Sequence, residues 1–63
     1  MPPRGDEIYI EFVVQGGFVK ATAIDPKTGI EASIVGPASA SQSDLSAAAA
    51  RKLEYVLKKQ RGR

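Results

Sequence analysis

The sequence predicts an α+β domain: a three-stranded antiparallel sheet in order 1-2-3 with one C-terminal helix packed on one face, a β-β-β-α arrangement. Three observations carry the prediction. Apolar and polar residues alternate through three segments between Ile8 and Val35. Two turn signals, Gly16-Gly17 and Asp25-Pro26-Lys27-Thr28-Gly29, divide those segments. From Ser41 onward the apolar spacing changes to that of one helical face.

The two turns agree on a single register. With Gly16-Gly17 as a two-residue hairpin loop, Val14 faces Val19, Phe12 faces Ala21 and Ile10 faces Ala23. With Pro26 to Gly29 as a four-residue loop closed by Asp25 and Ile30, Ala23 faces Ala32, Ala21 faces Ile34 and Val19 faces Gly36. A slip of one residue in either hairpin would turn charged side chains toward the buried side. The first strand, Ile8 to Gln15, therefore offers Ile8, Ile10, Phe12 and Val14 to the helix. The second, Phe18 to Asp25, offers Val19, Ala21 and Ala23, small enough for a helix to lie close. The third, Ile30 to Val35, adds Ile30, Ala32 and Ile34.

In the second turn Pro26 presets φ, the Asp25 carboxylate can accept from loop amides, and Gly29 tolerates the left-handed conformation. Gly36-Pro37 is expected to stop the third strand, and Ala38-Ser39-Ala40 to connect it to the helix. Ser41-Gln42-Ser43-Asp44 reads as a capping box. The helix then runs to about Gln60, with Leu45, Ala48, Ala49, Leu53, Val56 and Leu57 as its apolar stripe. Arg51, Glu54, Lys58 and Arg61 form the solvated side, and Gly62 ends the helix. Residues 1–6 read as a flexible N-terminal lead, 7–60 as the domain and 61–63 as a basic tail.

A chain of 63 residues buries only roughly 60% of the surface its unfolded form exposes, so its core is small. With no Cys and no His, disulfides and the usual zinc, haem and iron–sulfur ligand sets are ruled out as supports. Oligomerisation is the support left open. No cofactor is expected. The N-terminal residues lack the apolar run of a signal peptide, and no apolar stretch reaches membrane-spanning length, so a cytoplasmic protein without membrane contact is expected.

Charge is unevenly distributed. Residues 1–50 hold three cations against six anions, a net −3, while residues 51–63 hold six cations against one anion, a net +5. An acidic partner is permitted by this pattern without being required.

The stretch Val19-Lys20-Ala21-Thr22-Ala23-Ile24-Asp25-Pro26-Lys27-Thr28-Gly29-Ile30-Glu31-Ala32-Ser33-Ile34-Val35-Gly36-Pro37, followed by Arg51-Lys52-Leu53-Glu54-Tyr55-Val56-Leu57, resembles a family of short alphaproteobacterial proteins, a domain of unknown function. The resemblance runs from Ile8 to Lys59. It implies a bacterial cytoplasmic setting and brings no catalytic residue, ligand or partner.

Catalysis finds little support. The common general base and the strongest side-chain nucleophile are both missing. Glu11 and Glu31 share the sheet face away from the helix, but the central strand with Lys20 and Thr22 lies between them, so a solvated charged face is the simpler reading. Pro2 could present an N-terminal amine after Met1 removal. However, Pro3-Arg4-Gly5-Asp6 gives it a polar lead in place of a buried strand and pocket. Gly16-Gly17 lacks the following Lys and helix of a phosphate loop. A non-enzyme with no small-molecule substrate is the expectation.

Nucleic-acid binding is the second reading. The β-β-β-α order resembles the later part of double-stranded-RNA-binding domains and the three-stranded sheet readers of some integrases and plant transcription factors. In the former, cations at the start of the last helix grip phosphate, where this chain has Ser41, Ser43, Asp44 and Ser46. In the latter, the open face is rich in Arg and Lys, where this chain has Lys20 against Glu11 and Glu31. The candidate phosphate contacts are Arg51, Lys52, Lys58, Lys59 and Arg61. Cations there also complement the helix dipole, so any such binding is expected to be weak and non-specific.

The open sheet face is the anomaly. The register displays Tyr9, Val13, Phe18, Ile24 and Val35 there around Lys20, and those five make an apolar set too contiguous for an ordinary free surface. The leading expectation is a non-enzymatic protein–protein interaction module, most simply a homodimer through this face.

Overall fold

The computed structural model describes residues 7–61. Its strands are β1 (Tyr9–Gln15), β2 (Phe18–Ile24) and β3 (Glu31–Pro37), followed by α1 (Gln42–Arg61). The sheet is antiparallel in order β1-β2-β3. Every cross-strand pair expected from the two turns is present, including Phe12 with Ala21, Ala21 with Ile34, and Val19 with Gly36. The readings of residues 1–6, Gly62 and Arg63, including the Pro2 amine, lie outside the described residues.

Both turns close as their residue types require. Gly16 takes φ +59° while Gly17 does not turn positive, the pattern of a type II′ hairpin turn, whose twist suits the flanking strands. In the second loop Gly29 sits at φ +78°, its amide donates to the Asp25 carbonyl over 2.7 Å, and the Asp25 amide donates to the Ile30 carbonyl over 2.9 Å. The buried Asp25 carboxylate accepts from the Lys27 amide (3.2 Å) and the Thr28 hydroxyl (2.9 Å). Thr28 Oγ1 in turn accepts from the Ile30 amide.

The third strand runs two residues further than expected. Gly36 still pairs with Val19 and Pro37 with Phe18. Proline ends a ladder only where an amide is needed, and on this edge strand the missing N–H faces away from β2. Gly36 has a second role. A Cβ there would lie 2.6 Å from Cδ2 of Leu45, so the bare backbone lets the start of α1 settle onto the sheet.

Ser41 caps α1, its hydroxyl accepting from the Asp44 amide over 3.0 Å. The core beneath the helix is Val19, Ala21, Ala23, Ala32, Leu45, Ala49 and Leu53. Ala21, Ala23 and Ala49 are fully inaccessible, as expected for two layers brought together by small side chains. Val56 and Leu57 are half-buried against this core.

One expectation is corrected. α1 lies over β3 and β2 and barely reaches β1. On the helix side of β1, Ile8, Ile10 and Phe12 are therefore only half-buried, and Val14 remains 67% exposed. Val14 is on the expected face but beyond the helix.

Candidate interaction surface

The sheet face opposite α1 is built by alternation. Residues of odd number in β1 and of even number in β2 point away from the helix side, as do the odd-numbered residues of β3. Four rows cross the strands: Gln15-Phe18-Pro37, Val13-Lys20-Val35, Glu11-Thr22-Ser33 and Tyr9-Ile24-Glu31. Tyr9 is 56% exposed, Val13 44%, Phe18 62% and Val35 65%, so four of the five predicted apolar residues stand open to solvent. Ile24 is half-buried between Tyr9 and Glu31.

The middle of this face is tighter than expected. Thr22 is buried, and its hydroxyl shares a 2.8 Å hydrogen bond with the Ser33 hydroxyl. Apolar side chains thus gather toward both ends of the face, with a polar row between them. Lys20 is exposed in the central strand, one row from Glu11. Glu11 and Glu31 are separated by two strand spacings across the sheet and one row along it, about 12 Å in all, with Thr22 and Ile24 between them. No group of three or more His, Cys, Asp or Glu able to hold a metal occurs among the described residues.

The cations of α1 do not form one patch. At about 100° per residue, Arg51 and Lys58 lie on one flank while Lys52 and Lys59 lie on the other. Lys52 Nζ donates to the Ser33 carbonyl over 2.8 Å, and Lys59 Nζ sits 5.7 Å from the centre of the exposed Tyr55 ring, a cation–π distance. Arg51 and Lys58 instead flank a shallow depression shared with Lys27 and Glu54 beside the β2–β3 turn.

A family model for a domain of unknown function, DUF6898, matches residues 5–60. The chain belongs to that family. No curated protein and no solved structure matches the chain. The DUF6898 match spans all three strands and all but the last residue of α1, so the whole β-β-β-α unit is the family's domain. No helix among the described residues is long and apolar enough to cross a membrane.

Two features of the surface escape a reading of the sequence. Lys52 borders the apolar stripe of α1, three residues after Ala49 and four before Val56, but that spacing does not say which strand its ammonium reaches. Val14 shares the alternation of the buried positions, and only the lateral placement of α1 exposes it.

Proposed function

We propose that this DUF6898 domain is a small non-enzymatic interaction module of the bacterial cytoplasm that self-associates through its open sheet face. The observation that carries this reading is the alignment of exposed Tyr9, Val13, Phe18 and Val35 on one face of the sheet, with half-buried Ile24 completing the set. Covering on the order of 400 Å² of apolar area per chain at about 25 cal/mol per Å² would supply roughly 10 kcal/mol per chain before association costs. That matches the whole stability of a small domain.

The rows also favour one geometry. A two-fold axis along the strands would set Lys20 against Lys20 of the second copy. An axis across the strands, between the Val13 and Glu11 rows, instead sets Lys20 over the partner's Thr22 beside the partner's Glu11, and Phe18 over the partner's Ile24. The second arrangement pairs opposite charges and apolar ends.

Sedimentation of the wild type at tens of micromolar tests this reading. Val35→Lys, at an exposed edge position of the face, should weaken the association without unfolding the domain. A wild type that remains monomeric, or an oligomer indifferent to Val35→Lys, would remove the support.

Weak phosphate contact by Arg51, Lys52, Lys58, Lys59 and Arg61 is the second reading, favoured by the net +5 of residues 51–63. With Lys52 held by β3 and Lys59 near Tyr55, that reading has fewer free cations than the sequence offers.

A further inference from the structure

We infer that the outer edge of β1 pairs with β1 of a second copy, antiparallel about a two-fold axis through Phe12. This interface is distinct from the open face and stands on different observations.

The first is the phase of the ladder. A two-residue loop makes Gln15 and Phe18 a hydrogen-bonded pair. Alternation from there turns the backbone groups of Val13, Glu11 and Tyr9 toward β2 and those of Ile10, Phe12 and Val14 outward. Among the described residues no loop or side chain bonds those outward groups.

The second is the contrast with β3. The Asp25–Ile30 bond fixes the phase there, so Glu31, Ser33, Val35 and Pro37 present the outer edge. Lys52 occupies the Ser33 carbonyl, and Pro37 has no amide to offer. Lysine and proline are standard means of blunting a sheet edge. β1 carries neither, and its ladder shows no bulge.

The third is the uncovered strip beside that edge. On the helix side of β1, Ile10 and Phe12 are half-buried and Val14 is 67% exposed.

A second β1 answers all three. The seven-residue strand Tyr9–Gln15 has Phe12 at its centre. Antiparallel pairing about Phe12 sets Phe12 against its copy and Ile10 against the partner's Val14. The outward groups of Ile10, Phe12 and Val14 are then all used, in about six main-chain bonds. Val14 is covered by the partner's Ile10, and Glu11 faces the partner's Val13. Centring on Glu11 would oppose two carboxylates, and centring on Val13 would leave one end unpaired. The product is a six-stranded sheet with both helices on one face. Its axis lies at the level of Phe12, as does the axis of the face-to-face arrangement, so the two interfaces together close a tetramer of dihedral symmetry.

Sedimentation combined with amide hydrogen exchange separates the two interfaces. The wild type at hundreds of micromolar should be tetrameric, with the Ile10, Phe12 and Val14 amides exchanging at least about tenfold more slowly than open edge amides. Val35→Lys should leave dimers in which that protection persists. Val14→Pro removes two of the six bonds at a position whose amide faces outward. It should weaken edge pairing by roughly tenfold to a hundredfold, leaving dimers with the protection at Ile10 and Phe12 lost. Val14→Lys, which keeps the amide but places a charge on the strip, serves if the proline variant does not fold. An oligomer split by Val35→Lys while the three amides exchange freely would overturn edge pairing and leave the face reading standing. Protected amides in a dimer indifferent to Val35→Lys would support the edge and remove the face. A wild-type monomer would overturn both.

Discussion

Gly36 and Leu45 are in contact so close that a Cβ on Gly36 would meet Cδ2 of Leu45 at 2.6 Å. This contact ties the end of β3 to the first turn of α1, and Leu45 is buried where it occurs. The backbone at Gly36 does not have a positive φ, so any cost of a larger residue comes from packing alone. Gly36→Ala should destabilise the domain by about 1–3 kcal/mol, because Leu45 must leave its place in the core. In a Leu45→Ala background, chemical denaturation should show most of that increment gone. An additive double variant would show that the contact is not the cause.

The closeness of the two layers makes a second prediction. Ala21 and Ala49 face the interior from β2 and α1, and both are fully inaccessible. Ala21→Leu adds three carbons where neither layer can retreat without opening the core. Its expected cost is about 1–3 kcal/mol. An unchanged melting temperature would contradict the placement of Ala21 beneath α1.

The parts of this structure governed by short-range rules were readable in the chain. Gly16, Asp25, Pro26 and Gly29 punctuate a period-two pattern, and that pattern admits one register, which the sheet adopts. Pro37 was harder to place, because whether proline ends a strand depends on which way its missing amide points. Least readable was the lateral position of α1. Hydrophobic spacing tells which face of the helix is buried, but not whether that face lies over the middle of the sheet or to one side. Val14 and Lys52 are the residues whose surroundings depend on that choice. At the candidate surface, alternation alone assigned Tyr9, Val13, Phe18 and Val35 to one face. The burial of Thr22 follows from its hydroxyl meeting Ser33, a contact that the register allows but propensity does not announce.

The Asp25 turn gives a third prediction. Its carboxylate organises the loop through the Lys27 amide and the Thr28 hydroxyl. Asp25→Ala would leave the Lys27 amide and the Thr28 hydroxyl without their shared acceptor. A loss of about 1–2 kcal/mol is expected in urea denaturation. Thr28→Ala should lose less, since the exposed hydroxyl has solvent as an alternative. A reversed order would mean that the Thr28–Ile30 contact, and not the carboxylate, holds the turn.

Salt provides a fourth, directed at the phosphate reading. Binding to random duplex should fall steeply between low and physiological salt, as phosphate contacts release counterions. Self-association through an apolar face should barely change over the same range. Replacing Arg51 and Lys58 with Gln should flatten the salt slope of any duplex binding while leaving sedimentation unaltered. Duplex binding that stays tight at physiological salt and is abolished by these substitutions would put nucleic acid first.

The last prediction concerns the edge that is already protected. Lys52 contributes an exposed charge-assisted hydrogen bond to the Ser33 carbonyl, and such bonds on open surfaces add little to stability. Lys52→Met keeps most of the aliphatic stem and removes the donor, so the melting temperature should move by no more than the equivalent of about 1 kcal/mol. The larger effect should be on association. With the carbonyl released, β3 offers an outward edge at Glu31, Ser33 and Val35 beside the exposed Val35 side chain, and strands of that kind template further pairing. Light scattering on heating should therefore begin at a lower temperature in Lys52→Met than in the wild type at equal stability. Lys52→Arg, which can still donate to the carbonyl, should restore the wild-type onset. If Lys52→Met scatters no earlier than the wild type, then Lys52 is not what guards the β3 edge.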